Sequence, residues 1–98
     1  MLIRIVRLSF KIEEVSTFLS IFEESKEFIR AFEGCNRLEL LQDASDPSIF
    51  MTYSWWDNEA ALEVYRHSEL FKSTWARTKV LFSNKPIAFS SYSKELLP

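Results

Sequence analysis

The chain has 98 residues, a length that suits one domain spanning residues 1–98, because two half-sized domains would each have too small a core. Hydrophobic residues make up 47% of it and aromatic residues 15%, a composition that excludes an intrinsically disordered protein. The net charge of −2 comes without any run of lysine or arginine, so we expect no nucleic-acid partner.

Cysteine content and hydropathy bear on where the protein resides. The single cysteine, Cys35, can form neither an intramolecular disulfide nor a cysteine-rich zinc site. The N-terminal residues do not resemble a signal peptide, because Arg4 and Arg7 interrupt the apolar positions. No apolar stretch approaches the roughly 20 residues of a membrane span. We therefore expect a soluble, cytoplasmic protein that does not contact membranes.

The first half of the chain predicts a strand, a long helix and a second strand. Branched apolar residues favour a strand over Leu2–Phe10. Ile12–Glu33 then shows helical periodicity, and Gly34 suits a left-handed stop at the helix end. Asn36–Gln42 predicts the second strand. The helix carries two adjacent apolar stripes, one of Val15, Phe18, Leu19, Phe22 and Ile29 and one of Ile21, Phe28 and Phe32. This arc is wider than one sheet face needs, which leaves apolar surface that a partner could cover.

The middle of the chain predicts a turn, a strand and a short helix. Asp43–Ser48 is rich in turn-forming residues and contains a proline. Ile49–Trp56 predicts the third strand. Asp57 or Asn58 can then cap a helix that runs to about Arg66.

The last third predicts one more helix and one more strand. Ser68 can cap a helix to about Phe82, with Phe71, Trp75 and Thr78 along one side. The break at Asn84–Pro86 separates it from a fourth strand at Ile87–Ser93.

The element order β-α-β-β-α-α-β predicts an α+β, ferredoxin-like fold with its helices on one face of an antiparallel sheet. In a monomer the other face should be polar. Strand 1, however, places Ile3 and Ile5 on one face and Val6 and Leu8 on the other. A sheet that is apolar on both faces needs a second cover. We therefore predict a homodimer through the sheet face opposite the helices.

The only concentrated candidate site lies where strand 3 joins the following helix. No HExxH or CxxC spacing is present, and one glycine cannot form a phosphate-binding loop, so we predict neither a metal nor a cofactor. Strand alternation puts Trp56 on one face with Phe50, Thr52 and Ser54, and puts Tyr53 and Trp55 on the other.

The residues of this junction allow a functional and a structural interpretation. His67 is the only histidine, and an imidazole suits a general base near neutral pH, yet such a residue is often a surface or capping group. Trp56, Tyr65 and Trp75 could be core residues or the walls of a ligand pocket. Their N–H and O–H groups need partners when buried, and an oxygenated aromatic ligand could supply them.

At this junction the chain resembles the antibiotic biosynthesis monooxygenase family. The matching residues are Phe50, Thr52, Tyr53, Trp56, Asp57, Glu59, Ala60, Ala61, Leu62, Tyr65, His67, Ser68 and Phe71. The resemblance implies a dimeric α+β barrel with a pocket between each sheet and its own helices. It also implies activities such as cofactor-free oxygenation of phenols, quinol oxidation or haem degradation.

The chain departs from that family pattern at several positions. Tyr65 and Ser54 stand where many members have a histidine and a glutamate, and His67 follows Tyr65 by two residues, about 200° around a helix. Trp75 and Ser9 stand where the haem-degrading branch has its axial histidine and an asparagine. Haem degradation is therefore disfavoured.

Three hypotheses follow. The first is a cofactor-independent oxygenase of a small phenol or quinol, with His67 as base and with Trp56, Tyr65, Trp75, Phe71 and Ser54 binding the substrate. The second is a non-catalytic homodimer that binds a small hydrophobic ligand in the same pocket. The third is a structural dimer in which the aromatic junction is packed solid.

Overall fold

The computed structural model describes residues 1–98 and contains four strands and three α-helices. The strands are β1 (Leu2–Ser9), β2 (Cys35–Gln42), β3 (Ile49–Trp56) and β4 (Ile87–Tyr92). The helices are α1 (Val15–Arg30), α2 (Glu59–Arg66) and α3 (Glu69–Lys79), and a 3₁₀ turn at Ile12–Glu14 precedes α1. The order along the chain is the predicted one, and the ferredoxin-like α+β fold is confirmed.

The sheet is antiparallel, with strand order β2-β3-β1-β4. In the register of β1 with β3, Leu2 lies opposite Trp56 and Leu8 lies opposite Phe50. These four residues are buried beneath the helices. Because side chains alternate along a strand, the next positions, including Ile5 and its partner on β3, point to the face that no helix covers.

The end of α1 differs from the prediction. The helix ends at Arg30 rather than Glu33, and Ala31 is its C-terminal cap. Gly34 does adopt a positive φ of 89°, but it shapes the turn into β2 instead of stopping the helix. Phe18, Ile21, Ser25 and Ile29 form the buried stripe.

As the sequence predicts, the apolar arc of α1 is wider than the stripe that the sheet buries. Leu19 is exposed, and Phe28 is 68% exposed. Phe28 therefore belongs to the solvent side of the helix, because one sheet face buries only a narrow stripe of it.

The helix-side core consists of two clusters rather than one. The larger, which we call the phenylalanine cluster, contains Leu8, Phe10, Phe18, Ile21, Phe50 and Leu81. The smaller, the tryptophan cluster, contains Leu2, Cys35, Trp56 and Leu62. Each cluster fills one end of the space between sheet and helices, so the region between them is where a cavity can form.

None of the helices is both long and apolar enough to span a bilayer.

Candidate functional site

A cavity of about 300 Å³ lies between the sheet and its helices. Its floor comes from β1 and β3, and its walls come from all three α-helices and the start of β4. The five predicted ligand contacts, Ser54, Trp56, Tyr65, Phe71 and Trp75, all line it. The junction is therefore not packed solid, and the volume is of the size that binds small ligands.

Strand β3 fixes the first two of these residues. Ser54 and Trp56 share the helix-side face because they are two positions apart. The buried Trp56 Nε1–H donates a 3.0 Å hydrogen bond to Ser54 Oγ. Ser54 Oγ accepts this bond, and its own hydroxyl proton has no acceptor within the protein. That proton is available to a ligand oxygen in the cavity.

The aromatic side chains form a continuous series along one wall. Trp56 stacks on Tyr65 with centroids 4.8 Å apart and planes inclined by 27°. Tyr65 meets Phe71 edge-on at 5.3 Å, and Phe71 stacks on Trp75 at 5.8 Å with planes inclined by only 10°. Within the series, Tyr65 and Phe71 are each flanked by two aromatic neighbours, which restrains their rings. The wall is consequently a preformed apolar surface that suits a flat ligand.

Local caps position the two helices that carry this wall. Asn58 Oδ1 accepts from the Ala61 amide at 2.8 Å and starts α2. Ser68 Oγ accepts from the Phe71 amide at 3.1 Å and starts α3. Both caps hold an extended residue immediately before the first helical turn. The predicted capping roles of Asn58 and Ser68 are confirmed, and they place Tyr65 and Phe71 two helical turns or less from the caps.

Tyr65 is a hydrogen-bond donor in this site. Burial raises the pKa of its phenol well above the ordinary value near 10, and repulsion from the nearby Cys35, when that residue is ionised as a thiolate, adds to the effect. The phenol therefore stays protonated at neutral pH. It can donate to a ligand oxygen but cannot remove a proton from a ligand.

His67 lies outside the cavity. Its side chain is 76% exposed, and Nδ1 is 2.8 Å from the Glu63 carbonyl oxygen. A carbonyl only accepts hydrogen bonds, so Nδ1 carries the proton in this arrangement. His67 also caps the C-terminus of α2. The predicted role as catalytic base thus gains no support from the position of the ring, which the two-residue offset from Tyr65 turns away from the cavity.

The cavity is also lined by two cationic residues that the sequence motifs do not indicate. Arg4 lies opposite Ser54 in the sheet register, and Arg66 is the last residue of α2. The sequence does contain one indication of this role for Arg4. It lies two residues from both Leu2 and Val6, and therefore on the apolar face of β1. A charge at such a position is uncommon unless it has a partner or a function.

Two of the hydroxyl groups that line the cavity are satisfied by the backbone of their own helices. Ser25 Oγ donates to the Ile21 carbonyl at 2.8 Å, and Thr78 Oγ1 donates to the Thr74 carbonyl at 2.7 Å. No three His, Cys, Asp or Glu side chains are grouped in a way that could hold a metal ion. The lining hydroxyls without an acceptor in the protein are those of Ser54, Tyr65, Thr52 and Thr74, and the two arginines add further N–H donors.

Several solved structures share this fold over nearly the whole chain. A crystal structure of an antibiotic biosynthesis monooxygenase superposes with a TM-score of 0.91 at 22% identity, covering 97% of this chain and 100% of the other. A conserved protein from Methanosarcina mazei Go1 gives 0.89 at 22% identity, with coverage of 96% and 94%. Rv0793 from Mycobacterium tuberculosis gives 0.89 at 16% identity, with coverage of 99% and 98%. At these identities the similarity establishes the fold alone.

Sequence comparison supplies the family. No curated protein matches the chain significantly. The profile of the family described as antibiotic biosynthesis monooxygenase matches residues 1–77, which include β1 to β3, all of α2 and most of α3. The resemblance noted at the β3–α2 junction is thereby confirmed. The chain belongs to the antibiotic biosynthesis monooxygenase family.

Proposed function

We propose that the protein is a cofactor-independent monooxygenase that oxidises a small phenol or quinol in this cavity. Family membership supports an oxygenase. The observation that carries the proposal is the convergence of a flat aromatic wall and free hydroxyl donors, from Ser54 and Tyr65, on one cavity of about 300 Å³. This combination suits a planar ligand with oxygen substituents.

The chemistry requires an electron-rich anion rather than a bound redox group. A phenol that loses its proton becomes a phenolate, which can reduce O2 directly. In a monooxygenation, one oxygen atom replaces the ring hydrogen, and the phenol and O2 yield a quinone and water. In a quinol oxidation, two electrons and two protons pass to O2 and yield a quinone and hydrogen peroxide.

The lining residues have distinct roles in this proposal. Trp56, Phe71 and Trp75 form walls that orient the ring and exclude water. Ser54 and Tyr65 donate hydrogen bonds to substrate oxygens. We do not retain His67 as base, because its ring is held at the protein surface.

A specific observation favours a second candidate function. No carboxylate or imidazole lines the cavity, and its titratable side chains are Arg4, Tyr65 and Arg66. A site without a base at neutral pH also suits a protein that binds a hydrophobic aromatic ligand without converting it.

Oxygen uptake distinguishes the two functions. We expect metal-free protein to consume O2 with at least one member of a panel of quinols and dihydroxynaphthalenes. Ser54→Ala should lower kcat/KM about tenfold, the expected loss for one hydrogen bond to a charged oxygen. The matched control is Ser73→Ala, at an exposed serine of α3, which should leave the rate unchanged.

One result would count against the monooxygenase, and another would count only against the role of Ser54. Thermal stabilisation of the protein by these compounds without oxygen uptake supports the binding protein instead. Equal activity of the Ser54→Ala variant and the native protein removes the proposed role of the hydroxyl.

We further propose that the protein is a homodimer through the uncovered sheet face. Tyr53, Ile5 and Phe89 form one row across that face in the strand register. Phe89 is 47% exposed, and Ile87 at the same edge is also exposed. An apolar face of this kind is stabilised when a second copy covers it. This pairing leaves the cavity on the outer, helix side of each protomer.

The dimer can be tested by sedimentation velocity across a range of concentrations. Native protein should sediment as a dimer, and Phe89→Asp should shift it to monomer, because the interface would bury an unpaired carboxylate. Phe28→Asp replaces an equally apolar, exposed residue on α1 and should leave the dimer intact. A monomeric native protein, or dissociation by Phe28→Asp alone, would contradict the proposal.

A further inference from the structure

Arg4 presents unused hydrogen-bond donors to the cavity. The side chain is half-buried, and its only hydrogen bond is from Nη1 to Ser90 Oγ at 3.1 Å. A guanidinium has five N–H donors, and no carboxylate lies within ion-pair distance of this one. The remaining donors are free to bind an acceptor inside the cavity.

The surroundings of Arg4 leave a net positive charge at this end of the cavity. Arg66 also lines the cavity, and its Nη1 is 2.8 Å from Glu63 Oε1. The same carboxylate has His67 Nδ1 at 3.9 Å. The Glu63 carboxylate is therefore the one negative charge near the guanidinium groups of both Arg4 and Arg66. Burial lowers the pKa of Arg4, repulsion from Arg66 lowers it further, and Glu63 opposes both effects.

The positive end of the cavity adjoins a neutral donor and an apolar wall. Ser54 is the direct neighbour of Arg4 across the β1–β3 pair, and its free hydroxyl proton lies on the same face. Beyond Ser54 the wall continues through Trp56 and Tyr65. A ligand that satisfies this arrangement has a flat apolar body and an oxyanion at one end.

We propose that Arg4 and Arg66, together with the Ser54 hydroxyl, form an oxyanion subsite that selects an aromatic ligand carrying a phenolate or carboxylate. The inference rests on the proposed ligand cavity and narrows its substrate class. It also provides for ionisation in a cavity without a base. The guanidinium groups stabilise the phenolate, the phenol proton passes to solvent water, and no side chain has to accept it.

Matched naphthalene derivatives test the charge requirement. By titration calorimetry, native protein should bind naphthoate at least about tenfold more tightly than the isosteric, neutral naphthamide. Arg4→Gln should remove most of that preference, because naphthoate loses an ion pair whereas naphthamide loses at most a hydrogen bond to a neutral oxygen, and Arg4→Lys should keep part of it. Arg66→Gln provides a second, exposed position where the fold is not at risk, and it should reduce the preference. The control is Arg77→Gln, at an arginine that pairs with Glu24 on the outside of the helices and should have no effect.

The phenolate arm uses the absorbance of bound naphthol. Native protein should lower the pH at which bound naphthol ionises, and Arg4→Gln should remove the shift. An Arg4-dependent preference for naphthoate without a shift in naphthol ionisation identifies a carboxylate as the preferred group. A shift in naphthol ionisation without that preference identifies a phenolate. Either outcome supports the subsite. Equal affinity for naphthoate and naphthamide with unshifted naphthol ionisation overturns it, as does failure of all three compounds to bind.

The outcome for the subsite is separable from that for the monooxygenase. Oxygen uptake without any preference for anions would refute the subsite and leave the enzyme. An Arg4-dependent preference for anions without oxygen uptake by any substrate would refute the enzyme and leave the subsite.

Discussion

Trp56→Ala should lower the free energy of unfolding by about 3–5 kcal/mol, the range for removing a buried tryptophan side chain. Trp56 is 1% exposed and is the largest of the fully buried side chains. Its indole packs with Leu2 and Leu62 in the tryptophan cluster and stacks on Tyr65. The substitution also removes the only hydrogen bond to Ser54 Oγ. Urea denaturation followed by circular dichroism measures the loss.

Two further variants separate the causes of this loss. Trp56→Phe keeps an aromatic ring but removes the indole N–H, so it should cost less, about 1–3 kcal/mol. Trp75→Ala removes a tryptophan that lines the same cavity but is only half-buried, and its loss should also be smaller than that of Trp56→Ala. An equal loss for both alanine variants would mean that Trp56 is not the principal support of its cluster.

The fold could be predicted from the sequence because its signals are local and periodic. Alternation along β1 and β3 assigns residues to faces, and helical spacing identifies α1. The strand β3 was predicted with its observed limits, Ile49–Trp56. The error at α1 has a physical cause, since apolar residues continue past Arg30 to Phe32 although the helix has already ended. Periodicity alone does not show that the last apolar residue of the pattern lies in the turn after the helix and not in the helix itself.

The candidate site was only partly predictable, because it depends on tertiary approach. Parity placed Ser54 and Trp56 on the helix side, and the structure brings Tyr65, Phe71 and Trp75 against them. Whether His67 faces the cavity depends on its angle around α2 and on where that helix ends. Its residue type, which suits a base, carries no information on either. In the sequence, Arg4 only interrupts an apolar N-terminal segment, whereas the structure shows that it shares a sheet face with Ser54.

A single glycine links the turn before β2 to the position of the aromatic wall. Gly34 has φ of 89°, and a Cβ built at this residue would lie 2.6 Å from the Cβ of Ala61. The Gly34 carbonyl accepts from the Asp57 amide at 2.9 Å, so the turn is bonded to the start of the α2 segment. Ala61 lies one turn before Tyr65 on that helix. Close approach at Gly34 is therefore a condition for α2 to hold Tyr65 against Trp56.

Gly34→Ala should lower the free energy of unfolding by about 2–4 kcal/mol. About 1 kcal/mol comes from placing a Cβ at positive φ, and the rest comes from the overlap with Ala61. The double variant Gly34→Ala/Ala61→Gly removes the overlap but not the backbone strain. It should therefore be more stable than the sum of the two single losses predicts, by about 1–3 kcal/mol in a double-mutant cycle. Additivity of the two single losses would show that α2 does not pack against Gly34.

The same double-mutant cycle also tests the cavity, because a helix displaced by the overlap moves Tyr65 away from Trp56. Affinity for an aromatic ligand should consequently fall in Gly34→Ala and recover in the double variant.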